Sequence, residues 1–562
     1  MKKYLYILTL AAIVLTGCDG NGFLDKNPDS RAEINTKKKV QLLLVNGYDC
    51  ANIGPLCETS SDNIVDNNTP DAVGHVNHKE PSDKMYNEIF AWEAVTTSIQ
   101  QDSPYAIWQG CYHNIAVANQ ALLAIEEIEK NDPTVDLGSE RAEALLIRAF
   151  NHFMLVNVFA QAYKNDEASS QDLGIHYMHN VETTVNPQYT RHSVTEVYHF
   201  IEEDLEKALE TVSDDYYSVP KYHFNVKAAH AFAARFYLYT RQWDKVIAHA
   251  NKVLGTTRAD AEQCMFDAAT TKKFGNPEEE MHAWFDTKSK ANLLIISTSS
   301  VAEWMFMTSY ARYTFNRAPE DLTIAGPGPN WDNRFPGCNI WQFNSNFGGF
   351  MATLISAWEY TDKVAGIGYP HNLRREFTTG ETLLCRAEAE IMTGNKAAAI
   401  EDLDVWTKGY CCTKNLSETN IKSFFRKGKS VQLTPELNPT KMSADWTVTD
   451  DQMPLIWCVL HFRRIETLHI GYRWLDIKRY GIELKHDIGY PVVTKTLVWN
   501  DDRRALQIPQ EAILAGHEAN PRLVMGDMIS APSMGVAPDK NDLERFMELS
   551  SEKPILVPFD AE

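Results

Sequence analysis

Apolar residues recur at helical spacing along most of the chain, and polar residues fill the positions between them. This periodicity predicts helices over 36–50 and 105–129, one beginning near Ser139 and one beginning at Ser193 or Thr195. Serine and threonine suit these starts, because their side-chain oxygens accept hydrogen bonds from free N–H groups of the first turn. The pattern therefore predicts a mostly α-helical protein.

Two distant segments share one pattern of a helix, a short turn and a second helix. They span 228–254 and 381–405, and their superposition aligns Ala234 with Ala387. Small residues at the crossing of paired helices, with large residues beside them, are typical of tetratricopeptide repeats, which bury their faces only by stacking. We therefore expect a tetratricopeptide-type helical scaffold that other material interrupts.

The interrupting region, about 255–380, lacks helical periodicity and is rich in aromatic residues, glycine and proline. A strand is predicted at 292–298, and the rest is predicted to be irregular, with short strands and long loops. The 60–80 segment, rich in Asp and Asn, is likewise predicted to be a loop. Loops on a rigid scaffold often carry binding sites, so the region is expected to be a loop-rich ligand-binding lobe.

The amino terminus has the layout of a secretory signal. Residues 1–3 form a basic head, 4–15 an apolar run, and 15–18 read Leu-Thr-Gly-Cys. The apolar run is shorter than the roughly 20 residues that a membrane span needs. The ending resembles the lipobox of bacterial lipoproteins, in which the cysteine is acylated, and several acyl chains suffice for stable anchoring. Cys18 is therefore predicted to be a lipid anchor.

These patterns predict five segments: a signal peptide at 1–17, a lipidated tether at 18–35, a helical scaffold at 36–254, the aromatic lobe at 255–380 and a carboxy-terminal region at 381–562. After the signal peptide, no apolar run is predicted to cross a membrane.

Composition narrows the choice of partners. The net charge of the 562 residues is -21, which argues against nucleic acid, because phosphate binding needs clustered Lys and Arg. The 10 cysteines show no zinc-type spacing. Cys50, Cys57 and Cys111 could form a disulfide in an oxidising compartment, or they could be buried free thiols.

Several short motifs together resemble the SusD/RagB family of outer-membrane lipoproteins, in the order in which that family has them. They are Phe23-Leu24-Asp25, Arg148-Ala149-Phe150, Arg191-His192-Ser193-Val194-Thr195-Glu196-Val197-Tyr198, Ala387-Glu388-Ala389, Arg463-Arg464-Ile465-Glu466, Asp476-Ile477-Lys478-Arg479-Tyr480-Gly481 and Asn520-Pro521. The sequence departs from the family pattern at Ile470, where a Glu is common, and in the forty or so residues after Pro521.

The resemblance implies a SusD-like fold and a binding role without catalysis or cofactor. It also implies an outward-facing position at the outer membrane and a SusC-like TonB-dependent transporter as partner. The family's ligands are mostly oligosaccharides and sometimes peptides. A peptide-binding version, a surface glycosidase with two facing carboxylates and a purely structural repeat scaffold remain as alternatives.

Aromatic faces suit the apolar faces of sugar rings, and nearby polar side chains suit their hydroxyls. On that basis the candidate ligand-binding residues are Trp92, Trp304, Tyr310, Tyr313, Trp331, Asn333, Arg334, Trp341 and Asn344. For any one of the aromatic residues, burial in the lobe's own core is an equal alternative.

Other residue groups favour structure over chemistry. No metal site is predicted, although His176 and His179 have a metal-like spacing and the Asp/Asn loop at 62–71 could hold Ca²⁺. In the 463–480 block, Glu466 and Asp476 could pair as acid and base. A structural network of arginines and carboxylates is the preferred interpretation.

Overall fold

The computed structural model describes residues 33–48, 52–70, 74, 76–183, 189–306, 311–341, 351–354, 356–426 and 430–522. The predicted signal peptide, Cys18 and most of the tether lie outside these residues.

Helices make up most of the regular structure in the amino-terminal part of the described chain. In chain order they are α1 (Lys37–Leu44), α2 (Gly54–Thr59), α3 (Met85–Phe90), α4 (Pro104–Asn131), α5 (Gly138–Phe159), α6 (Asp166–Ser169), α7 (Val194–Thr211), α8 (Val226–Thr240) and α9 (Trp243–Leu254).

The later helices begin inside the predicted lobe and continue to the end of the described chain. They are α10 (Arg258–Glu262), α11 (Ala268–Thr271), α12 (Pro277–Trp284), α13 (Ala302–Phe306), α14 (Arg317–Asp321), α15 (Thr379–Met392), α16 (Lys396–Gly409), α17 (Glu418–Phe424), α18 (Pro439–Met442), α19 (Met453–Glu466), α20 (Tyr472–Arg479) and α21 (Gln510–Leu514).

Local sequence explains where the predicted helices begin. Ser193 caps α7 in a capping box with Glu196, which satisfies free N–H groups at both ends of the first turn. The helix predicted to begin near Ser139 is α5, which begins at Gly138, so Ser139 lies in its first turn and is not its cap. The Gly138 N–H donates to the Asp136 carboxylate at 3.0 Å.

The two repeat-like cassettes are neighbours in space. Helices α8 and α9 form one antiparallel pair and α15 and α16 the other, and α9 packs directly on α15. Ala234 and Ala387 are fully buried, which lets the paired backbones approach closely. The mostly α, tetratricopeptide-like scaffold is therefore confirmed. Stacking, not sequence proximity, joins the copies.

Strands are few among the described residues. They are β1 (Val65–Asp66), β2 (Asn292–Ser299), β3 (Tyr313–Thr314), β4 (Ser356–Asp362), β5 (Ile367–Thr378), β6 (Leu484–Ile488) and β7 (Val493–Leu497). The three sheets are antiparallel: β1 pairs with β3, β6 with β7, and the largest has the order β2-β5-β4.

The interrupting region is more regular than predicted. The strand expected at 292–298 is confirmed as β2, but α10 to α14 and the long strand β5 also lie in this region. The 60–80 segment is not wholly a loop either, because β1 lies in it. The partners β1 and β3 lie far apart in sequence, so no local pattern could announce their pairing.

Helix α5 is buried along almost its whole length. Among the described residues it alone is long and apolar enough, by length and composition, to cross a membrane, contrary to the prediction that no later run would be. The apolar stretch of α5 is entirely buried inside the protein, where α5 packs against α4 and α7.

A network of buried charges joins α15 of the scaffold to the 463–480 block, which we call the carboxy-terminal signature. Arg463 donates to Asp476 at 3.0 Å and to Glu381 at 3.2 Å. Arg479 donates to both oxygens of Glu388, at 2.8 and 2.9 Å, and to Asp476 at 2.8 Å. These side chains come from α15, α19 and α20, so ion pairs and apolar packing fix the same three helices.

The same signature also holds amino-terminal segments. Arg473 forms a two-pronged pair with Asp62, both bonds at 2.8 Å, and Arg464 lies 3.5 Å from the same carboxylate. Burial alone would raise the pKa of Asp62, but the two arginines hold it well below its usual range. Lys478 donates to the carbonyls of the α5 carboxy-terminal end, and burial lowers its pKa to about 7.

Candidate functional site

Three of the predicted aromatic residues are buried. Trp92, Tyr313 and Trp331 are 1%, 2% and 6% exposed. The Trp92 indole donates to the Ser60 carbonyl at 2.9 Å and stacks on His486 at 4.1 Å. A ligand could not reach these rings without displacing core neighbours, so all three residues belong to the core and not to an open ligand site.

The other candidates are scattered. Trp341 is half-buried, and its indole donates to Glu280 at 2.8 Å, while Asn333 and Arg334 are exposed. The backbone of Trp304 lies in α13, and Tyr310 and Asn344 lie outside the described residues. The structure thus does not bring the nine predicted residues into one described site.

A groove of about 320 Å³ lies where three segments meet: the start of α3, the turn before α4 and the segment after β2. Its lining residues are Ser82, Asp83, Met85, Tyr86, Gln100, Gln101 and Val301. We call it the Tyr86 groove. Trp304, a predicted ligand residue, lies three positions after Val301.

Two buried polar atoms beside the Tyr86 groove have no hydrogen-bond partner among the described residues. The Tyr86 side chain is 1% exposed, and its hydroxyl has no hydrogen-bond partner among the described residues. Asp102 is fully buried: Oδ2 accepts from the Val301 N–H at 2.8 Å, and Oδ1 has no partner in the described part of the chain. Burial raises the pKa of Asp102 to about 7 and that of Tyr86 well above 10.

Both atoms are out of reach of solvent, so a ligand in the groove could not contact them without displacing their neighbours. A buried, unbonded hydroxyl or carboxyl oxygen costs roughly 1–3 kcal/mol, and such exceptions often mark functional positions. The neighbouring amides of Gln100 and Gln101 add both donors and acceptors. The groove therefore suits a ligand with many hydroxyls. No local signal in the sequence marks Tyr86 or Asp102, because the groove exists only once α3 meets Val301.

Exposed aromatic side chains occur elsewhere in the lobe, on the hairpin formed by β4 and β5. Trp358 and Tyr360 are 49% and 51% exposed, two positions apart on one strand. Neither was among the predicted site residues, although the alternation Trp358-Glu359-Tyr360 is a strand signal that could have identified them.

The carboxylates that an acid–base pair would need are committed to structure. Glu466 accepts hydrogen bonds from Thr378, Trp406 and Tyr410 at 2.6–2.9 Å. Asp476 is held between Arg463 and Arg479. These contacts match the structural network predicted for the 463–480 block.

Comparison with known proteins gives a consistent result. Residues 22–238 match a SusD-like family model described as "Starch-binding associating with outer membrane". No curated protein matches the sequence.

Solved structures resemble the chain over most of its length. A SusD superfamily protein from Bacteroides thetaiotaomicron VPI-5482 is 16% identical, with a TM-score of 0.52 over 86% of this chain and 99% of that one. A SusD superfamily protein from Bacteroides vulgatus ATCC 8482 is 18% identical, with a TM-score of 0.53 over 86% and 97%. A SusD-like carbohydrate binding protein from the same organism is 14% identical, with a TM-score of 0.55 over 86% and 96%. At these identities the likeness shows a shared fold.

Proposed function

Because the chain is a SusD/RagB-family protein by its family-model match and its fold, we propose that it binds an oligosaccharide at the outer membrane and does not cleave it. The supporting observation is the Tyr86 groove, whose accessible polar groups include the amides of Gln100 and Gln101. A sugar hydroxyl both donates and accepts, so one sugar ring could bond to both amides.

The rest of the proposal concerns location and partner. Cys18 would carry the lipid that holds the protein at the membrane, facing outward. A SusC-like TonB-dependent transporter would receive the ligand. The name of the matching family supports outer-membrane association and makes starch-type glycans the first ligands to test.

Calorimetric titration of the protein lacking residues 1–18 tests the binding role. Malto-oligosaccharides, other plant and host oligosaccharide series, and short peptides serve as ligands. Binding to one glycan series with no released product supports the proposal. Binding to peptides alone supports the alternative peptide-binding role, and released product supports a glycosidase.

The variant Gln100→Ala tests the ligand role of the groove. Gln100 is exposed, so its truncation should leave the free energy of unfolding nearly unchanged. Oligosaccharide binding should weaken about twofold to tenfold, the value of one hydrogen bond. Gln171→Ala is the matched control, because Gln171 is exposed and does not line the groove. That variant should keep both stability and affinity.

A further inference from the structure

The β4–β5 hairpin presents a flat aromatic face. Trp358 and Tyr360 lie two positions apart on β4, so their side chains project from the same side of the sheet. Their partners on β5 are Pro370 and Gly368. A Cβ atom at Gly368 would lie 2.6 Å from Nε1 of Trp358. The indole therefore lies over β5 at the position of a glycine, which has no side chain. The missing side chain leaves both rings open to solvent.

The hairpin projects from the body of the protein. Val364, at its turn, is fully exposed, and every described residue from Trp358 to Ile367 is exposed. Two half-exposed aromatic residues on such a projection gain nothing from the protein's own core. Their apolar area therefore needs another explanation.

This face and the Tyr86 groove are structurally connected. The Ser300 N–H donates to the Pro370 carbonyl at 3.2 Å, and the next residue, Val301, lines the groove. Glu303, in α13, accepts from the Ser356 N–H at 2.6 Å, which ties the base of β4 to the same segment. Two strand spacings, about 10 Å, separate the Ser300 segment from β4. An elongated ligand leaving the groove can span that distance.

We propose that Trp358 and Tyr360 form a second sugar-stacking subsite, which binds the part of an oligosaccharide that extends beyond the Tyr86 groove. This inference rests on the proposed glycan-binding function and adds a preference for long chains. Sugar rings suit the face because their C–H surfaces are apolar and the two aromatic rings lie side by side. The subsite would act by stacking alone, so its contribution should not depend on salt concentration.

The test compares short and long ligands of one series. The ligands are maltotriose and maltoheptaose, or the corresponding members of the series that the wild-type protein binds. In the wild type the long ligand should bind more tightly. Each of Trp358→Ala and Tyr360→Ala should weaken long-ligand binding about threefold to tenfold and leave short-ligand binding unchanged. Trp358→Phe, which keeps a ring, should recover part of the loss.

Tyr222→Ala is the matched control, because Tyr222 is 48% exposed and lies in a short 3₁₀ turn, Pro220–Tyr222, away from the hairpin. It should change neither affinity. Unchanged long-ligand binding in both hairpin variants would overturn the inference, and so would an equal loss for both ligand lengths. A wild type that binds no oligosaccharide of any length would instead refute the proposed function itself.

Discussion

The substitution Arg479→Met tests whether the buried charge network stabilises the fold. Methionine keeps the packing of the long side chain but removes the guanidinium. Asp476 would keep Arg463 as a partner, whereas Glu388 would keep only the hydroxyl of Tyr480, at 2.7 Å. Glu388 is fully buried, so its charge would be left nearly uncompensated. Removing one partner of a buried ion pair typically costs about 3–5 kcal/mol of unfolding free energy.

Adding Glu388→Gln to the variant should recover much of the stability at about pH 8, because no buried charge then lacks a partner.

Urea unfolding of the chain without residues 1–18, followed by circular dichroism and tryptophan fluorescence, measures these differences. Lys414→Met is the control, because Lys414 pairs with Asp332 where both side chains are more than half exposed. That variant should change stability by less than about 1 kcal/mol. A loss below about 1 kcal/mol for Arg479→Met, or no recovery on adding Glu388→Gln, would refute the reasoning.

Three further outcomes are expected. Gly380→Ala should destabilise the protein by about 1–3 kcal/mol in the same urea assay, because the new Cβ would lie 2.6 Å from Glu466 Oε1 and displace a carboxylate with three donors; an unchanged midpoint would contradict this. The pKa of Asp102 is raised to about 7, so folding should lose stability as pH rises from about 4 to about 7, and Asp102→Asn should lack this loss. Parallel pH curves for both proteins would exclude that linkage. Cys18→Ser should move the protein from the membrane fraction to the soluble fraction of the cell; continued membrane recovery would argue against the lipid anchor.

The helical scaffold could be predicted because its signals are local. The capping box at Ser193 and the alanines of the two cassettes lie within one or two turns of the features they determine. Even there, Ser139 is not the cap of α5, because the helix already begins at Gly138.

The candidate site could not be predicted, because segments far apart in sequence build it. The short strand β3 contains Tyr313 and pairs with β1, which lies far earlier in the sequence. This pairing buries the Tyr313 ring, for which the sequence alone allows either burial in the core or contact with a ligand. The Tyr86 groove likewise needs Val301 beside Asp102. Aromatic content alone did not distinguish the buried Trp331 from the exposed Trp358, since exposure depends on tertiary packing.

The contacts between the carboxy-terminal signature and the amino-terminal segments have a consequence for biogenesis and for engineering. Asp62 and the end of α5 receive their charged partners only when Arg473 and Lys478 have left the ribosome or the export channel. Until then, Asp62 and the end of α5 lack the partners that hold them in the folded protein. For the same reason, segment 22–238 cut out as a sugar-capture module would lack these partners and should not fold on its own.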